Sequence, residues 1–204
     1  MFKDRAEAGT LLAKKLEKYR KTNSIVLGIP RGGVVVAKEV AEHLRLPLDV
    51  ISSRKISHPM NPELAIGAIT ASGETYLDRG LIYNPAVPEE YLTYETQKEQ
   101  EEALRRDREF RGGKRELNVK EKNVILVDDG IATGSTILAA IKDLRKRKPR
   151  KIIVASPVAP PTVEEDLRLI SDEVVILKIP PHFMSVGNFY AYFPQVSDSE
   201  VTIS

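Results

Sequence analysis

Apolar and polar positions alternate along this chain with two different periods, and the switches between them predict an order of elements. Over residues 4–20, Ala8, Leu12, Leu16 and Tyr19 recur at three- to four-residue spacing among Lys and Glu, which predicts an amphipathic helix. A short apolar run over 24–29 predicts a strand, closed by Pro30-Arg31-Gly32-Gly33. Helical spacing returns over 34–44 through Val36, Ala37, Val40, Ala41 and Leu44, and Pro47 then opens a strand over 48–52. Strand, turn, helix and strand in that order favour a parallel sheet.

The middle is less regular. Apolar runs over 65–70 and 75–77 flank Ala71-Ser72-Gly73-Glu74, a hairpin signal. Residues 88–110 are highly charged, with Tyr91, Tyr94, Leu104 and Phe110 as the apolar anchors, and predict a long, mostly solvated helix. The second half alternates strand 123–127, helix 134–147, strand 151–155, helix 162–170 and strand 173–179. This is the pattern of an open, mainly parallel α/β sheet flanked by helices, with ligands expected at the carboxyl ends of the strands. A single domain over 1–204 is expected, with an insertion at about 55–118 and a C-terminal segment at about 180–204.

Composition narrows the chemistry. Without Cys, disulfide scaffolds, thiolate metal sites and cysteine nucleophiles are excluded, and His43, His58 and His182 are too scattered to suggest a His-built metal site. The net charge of +2 is too small to argue by itself for nucleic acid or a charged membrane surface. Met1-Phe2-Lys3-Asp4-Arg5 opens into a charged helical pattern with no apolar leader, and no run approaches a membrane span, so a cytoplasmic protein is expected.

The most informative stretch is Val124-Ile125-Leu126-Val127-Asp128-Asp129-Gly130-Ile131-Ala132-Thr133-Gly134-Ser135-Thr136. A buried strand ends on adjacent carboxylates, and a turn of small and hydroxyl residues opens a helix. Such a turn aims backbone N–H groups inward at a helix N-terminus, which makes a cradle for phosphate, and Thr133, Ser135 and Thr136 add hydroxyl donors. The carboxylates suit sugar hydroxyls or a hydrated Mg²⁺. The plainer alternative is an Asp-Asp-Gly turn with Thr133 or Ser135 as a helix cap.

These thirteen residues resemble the substrate-binding motif of the type I phosphoribosyltransferases. The resemblance implies that Asp128 and Asp129 lie along the ribose hydroxyls of 5-phosphoribosyl 1-pyrophosphate (PRPP). It implies that Ala132, Thr133, Gly134, Ser135 and Thr136 wrap its 5′-phosphate, and that Mg²⁺ binds with PRPP, near Asp128 and Asp129 through water or PRPP itself. Gly28-Ile29-Pro30-Arg31-Gly32-Gly33 is similar to the family's pyrophosphate loop, which implies a non-proline cis peptide at Pro30-Arg31 and pyrophosphate contacts from Pro30, Arg31 and Gly32. Lys55 is the expected basic partner of pyrophosphate, with Arg54 in reserve. Residues 56–63 resemble the start of the family's mobile loop, and their two prolines independently suggest a loop in which His58 is an exposed imidazole.

The match has departures. Gly130 stands where most members carry an apolar residue, and Ala132 stands where 6-oxopurine enzymes have an acid, so a hypoxanthine or guanine enzyme of the usual kind is disfavoured. The aromatic C-terminal segment is the expected hood of the fold. There Phe183, Phe189 or Tyr190 could stack on a base, or the cluster is core or a subunit interface, which leaves a homodimer open. The basic run over 145–151 fits a helix C-terminus better than a nucleic-acid surface. The resemblance therefore implies a PRPP-dependent phosphoribosyltransferase acting on a nucleobase-like acceptor, without nucleic acid or membrane partners. The alternative is a PRPP-sensing, nucleic-acid-binding regulator on the same fold.

Overall fold

In the computed structural model, which describes residues 1–83 and 86–203, the first half runs through α1 (Arg5–Lys15), β1 (Ser24–Gly28), α2 (Gly32–Leu44), β2 (Leu48–Val50), β3 (Ser53–His58), β4 (Asn61–Thr70), β5 (Thr75–Leu77), α3 (Arg79–Tyr83) and α4 (Glu89–Phe110). The second half adds β6 (Asn123–Val127), α5 (Ser135–Lys146), β7 (Lys151–Val158), α6 (Pro161–Ile170), β8 (Glu173–Lys178) and α7 (Asp198–Val201). Asn84 and Pro85, within the insertion read from the sequence, and Ser204, at the end of the C-terminal segment, lie outside the described residues.

Five strands form a wholly parallel sheet in the order β2-β1-β6-β7-β8, flanked by helices as the alternating periods predict. Successive side chains on a strand point to opposite faces. Ile25, Leu27, Val124, Leu126, Ile152 and Val154 accordingly pack with Ile137, Ile141 and Leu144 of α5 and Leu167 of α6. Val26, Ile125, Val127, Ile153 and Ala155 pack on the other face with Leu12 of α1 and Val36, Val40 and Leu44 of α2. Burial on both faces is why these strands read as continuous apolar runs. From β1 the chain crosses to β2 on one side, and from β6 to β7 on the other. The crevice between the carboxyl ends of β1 and β6 is thus the switch point where α/β sheets take ligands.

A second sheet, antiparallel and ordered β3-β4-β5, takes the place of the irregular loop conformation expected over 56–63. Only Pro59 and Met60 separate its first two strands. Ile56 supplies the physical reason, being fully buried with Ile66, Ile69, Ile82 and Val87. Pro59 falls in the turn and Pro62 close to it, where a missing N–H interrupts little of the ladder. His58 is buried at the end of β3, not exposed, and the Met60 N–H donates to its Nδ1 at 3.2 Å.

Helix α4 has the predicted extent and two of its predicted anchors, Phe110 fully buried and Tyr91 packed against the Ile56 cluster. Tyr94 and Leu104 are exposed, and the buried stripe is Glu95, Glu99, Ala103 and Asp107, ending at Phe110. Four-residue spacing places these on one face, and the acids tolerate burial because cations meet them: Arg54 pairs with Glu99 at 2.7 Å and Arg111 with Asp107. Arg111 also bonds Asp49 at 2.8 Å and the Val50 carbonyl at 2.7 Å, tying the end of α4 to β2. Because Asp49 is almost wholly buried, Arg111→Ala strands its charge. We expect a loss of about 3–5 kcal/mol, read by urea unfolding; a loss below about 1 kcal/mol, as for an exposed pair, contradicts this account.

Candidate functional site

The loops that leave β1 and β6 face one another. Gly28 ends β1 where any Cβ would stand 2.9 Å from Val34 Cα, so the chain can turn sharply into α2. The Pro30–Arg31 peptide is cis. After β6 the chain passes Asp128 and Asp129 and reaches Gly134, whose left-handed conformation (φ 78°) caps α5 and favours glycine. No side chain caps this helix. Among the described residues, the N–H groups of residues 132–136 donate to no protein acceptor. A run of unengaged amides at a helix N-terminus is a binding surface for an anion.

Between the loops lies a cavity of about 350 Å³. The first loop lines it with Pro30, Arg31 and Gly32, and β3 adds Lys55. The second loop adds Asp128, Asp129, Ala132, Thr133, Gly134 and Thr136. Ser135 is buried, with its hydroxyl 3.4 Å from that of Thr133. Arg54 does not line the cavity and is held by Glu99. The C-terminal wall consists of Val186 and Phe193, whereas Phe183, Phe189 and Tyr190 do not reach it. Phe183 and Phe189 stack on each other with centroids 5.5 Å apart, and Tyr190 is buried with its hydroxyl donating to the Asp129 carbonyl at 2.6 Å. Gly130 has a packing role: a Cβ there would stand 2.2 Å from Val186 Cγ1, so Val186 fills the space a side chain would need.

Arg5 is the site residue that the sequence reading missed. It opens α1, is buried, and donates from Nε to Asp129 Oδ2 at 2.7 Å and from Nη1 to the Pro194 carbonyl at 2.8 Å. Its guanidinium lies 3.7 Å from the centre of the Phe193 ring. A signal was available, because a cation in the first turn opposes the helix dipole and calls for a partner elsewhere. The same Asp129 oxygen abuts Gly32, where a Cβ would stand 1.9 Å from Oδ2. Gly32 and Arg5 together fix this carboxylate in place.

The acid pair is under electrostatic tension. Burial and the neighbouring Asp129 charge push the Asp128 carboxyl well above the usual carboxylate range, opposed by the Asp129 N–H, which donates to Asp128 Oδ1 at 2.9 Å, and by Lys55. Among the described residues no three His, Cys, Asp or Glu side chains gather to hold a metal by themselves. The paired carboxylates are hard oxygen donors of the type that Mg²⁺ takes while keeping water or substrate oxygens. Elsewhere, Arg145, Lys146 and Arg147 at the end of α5 pair with Asp172, Glu74 and Asp143 respectively. No helix among the described residues is long and apolar enough to cross a membrane.

A family model described as phosphoribosyl transferase domain matches residues 3–186. Two Mycobacterium tuberculosis proteins, from strains CDC 1551 and H37Rv and each named "Putative phosphoribosyl transferase", are 38% identical over 201 residues, covering 98% of this chain and 45% of each relative. The chain therefore spans somewhat less than half the length of these curated relatives. Among solved structures, TT1426 from Thermus thermophilus has 39% identity and a TM-score of 0.82 over 99% of this chain and 96% of its own. A purine phosphoribosyltransferase from Pyrococcus horikoshii, at 18% identity and a TM-score of 0.51 over 93% and 91% of the two chains, shares the fold.

Folding raises the Asp128 pKa, so its ionised form is the costly one. The penalty is absent below the usual carboxylate value, about pH 4, and grows as pH rises through the raised value. Asp128→Asn keeps an oxygen to accept from the Asp129 N–H and should stabilise the ligand-free protein near pH 7. The gain should vanish near pH 4. Urea unfolding at both pH values measures this, and a variant no more stable than wild type at pH 7 contradicts it.

Proposed function

Because the chain belongs to the phosphoribosyl transferase domain family, we propose that it transfers the 5-phosphoribosyl group of PRPP to a nitrogen of a nucleobase-like acceptor and releases pyrophosphate. The observation that carries this reading is one cavity lined by the acid pair, the unengaged amides of the loop before α5, and three cations, Arg5, Arg31 and Lys55.

Each part then has a chemical role. The amides of residues 132–136, with the Thr133 and Thr136 hydroxyls, hold the 5′-phosphate. Asp128 and Asp129 accept hydrogen bonds from the ribose 2′ and 3′ hydroxyls. The acceptor nitrogen bonds to ribose C1 as the bond from C1 to the pyrophosphate oxygen breaks, with inversion at C1, and the acceptor's N–H proton passes to water or to the departing pyrophosphate. The transition state is oxocarbenium-like, so negative charge gathers on the leaving group, where the Pro30-Arg31-Gly32 loop and Lys55 stabilise it. Bound Mg²⁺ would neutralise further charge on the pyrophosphate, and Asp128 and Asp129 are the residues that would hold it, through water or PRPP. The acceptor faces Val186 and Phe193, with Ala132 in place of an acid. That wall offers it apolar contact but no side-chain base. Arg5 acts as a positioning residue through Asp129.

Purified protein given PRPP, Mg²⁺ and a panel of nucleobases is expected to release pyrophosphate with at least one of them, and Asp128→Asn with Asp129→Asn to abolish release. No release with any nucleobase while PRPP still binds would point to the regulator instead. Arg5→Ala, which frees Asp129 to swing, should raise the KM for PRPP about tenfold or more, with partial rescue by Arg5→Lys. An unchanged KM removes the positioning role.

A further inference from the structure

Arg31 lines the cavity, but its charge is already engaged from the other side. The C-terminal helix α7 is docked by several contacts: Val201 is fully buried with Val34, Val50, Phe110 and Val196, the Ile203 N–H donates to the Phe110 carbonyl at 2.9 Å, and Lys38 Nζ donates to the Glu200 carbonyl at 2.6 Å. Ser197 and Glu200 close a capping box at its start. Together these hold α7 against α2, the helix that Arg31 precedes, and bring Asp198 Oδ1 to 3.5 Å from Arg31 Nη1. That oxygen is shielded from water and accepts no hydrogen bond. A carboxylate oxygen so placed depends on nearby positive charge, and among the described residues Arg31 is the cation paired with it.

We propose that Asp198 is a built-in counter-anion for Arg31: it occupies the guanidinium while the cavity is empty and yields it to the diphosphate group of the ligand, thereby setting how tightly that group is held and how readily it leaves. The inference rests on the phosphoribosyl-transfer reading, which supplies the diphosphate. Two effects act in the same direction. The ion pair must open before Arg31 can turn fully to the ligand, and a fixed negative charge beside an anion site repels the incoming anion. Both are modest, since the two side chains are 37% and 36% exposed and exposed pairs are weak.

The test reads binding of magnesium pyrophosphate by calorimetry and needs no acceptor. Asp198→Asn should bind about two- to fivefold more tightly than wild type, and the charge-preserving Asp198→Glu should stay close to wild type. None of the contacts that dock α7 uses the Asp198 side chain, so the Asn variant keeps the helix in place. In an Arg31→Ala background the gain should shrink, because the competition runs through that guanidinium. Equal or weaker binding by Asp198→Asn, or a full gain persisting without Arg31, overturns the counter-anion role. A wild-type protein with no affinity for magnesium pyrophosphate removes the transfer reading itself, and this inference with it.

Discussion

Gly28 sits opposite Val127 at the carboxyl ends of two adjacent parallel strands, and the cavity depends on that register. A parallel ladder ends both strands at the same level, so the two loops emerge side by side and not at opposite edges of the sheet. The register is strongly specified, because sliding β6 by one residue would exchange the side chains packed under α5 with those packed under α2. Burial of both sheet faces therefore places Arg31 and Gly32 across from Asp128 and Asp129.

The site is assembled against local stability. Adjacent carboxylates at the end of a buried strand repel one another, and the protein responds from several directions. Arg5 and Gly32 hold Asp129, the Asp129 N–H and Lys55 ease the charge on Asp128, and the Asp129 carbonyl is anchored by Tyr190. What remains is a carboxyl on Asp128 that ionises less readily than a free one. A pair of acids made comfortable only by a hydroxylated ligand or a cation is the expected trade between stability and binding.

Both ends of the chain converge on this arrangement. Phe2 forms a parallel bridge with Tyr190, the Phe2 N–H donates to the Phe189 carbonyl at 2.7 Å, and the Ala191 N–H donates back to the Phe2 carbonyl at 2.7 Å. Arg5 follows three residues later, and Val186 and Phe193 flank the same bridge. The C-terminal wall of the cavity is thus held by the N-terminal residues, while α7 approaches Arg31 from behind. Segments distant in sequence share the work of orienting one carboxylate and one guanidinium.

The features legible in the amino-acid order are those that local physics can dictate. Apolar periods located the elements of the parallel sheet and its helices, and the order strand, acids, hydroxyl-rich turn and helix marked out the loop at Asp128. Features whose partners lie far along the chain were settled by the folded arrangement. The buried acids of α4 pass for a solvated face until Arg54 is set beside Glu99; residues 56–63 pass for a loop until Ile56 finds Ile66 and Ile69; Arg5 passes for a surface cation until α1 packs beside the end of β6. The aromatic residues that reach the cavity could not be separated from those that do not, because Phe183, Phe189, Tyr190 and Phe193 share a short segment whose path is set by Phe2 and Gly130. Periodicity records which face of an element is buried, but the partner of a buried charge or ring is a long-range contact that no local pattern encodes.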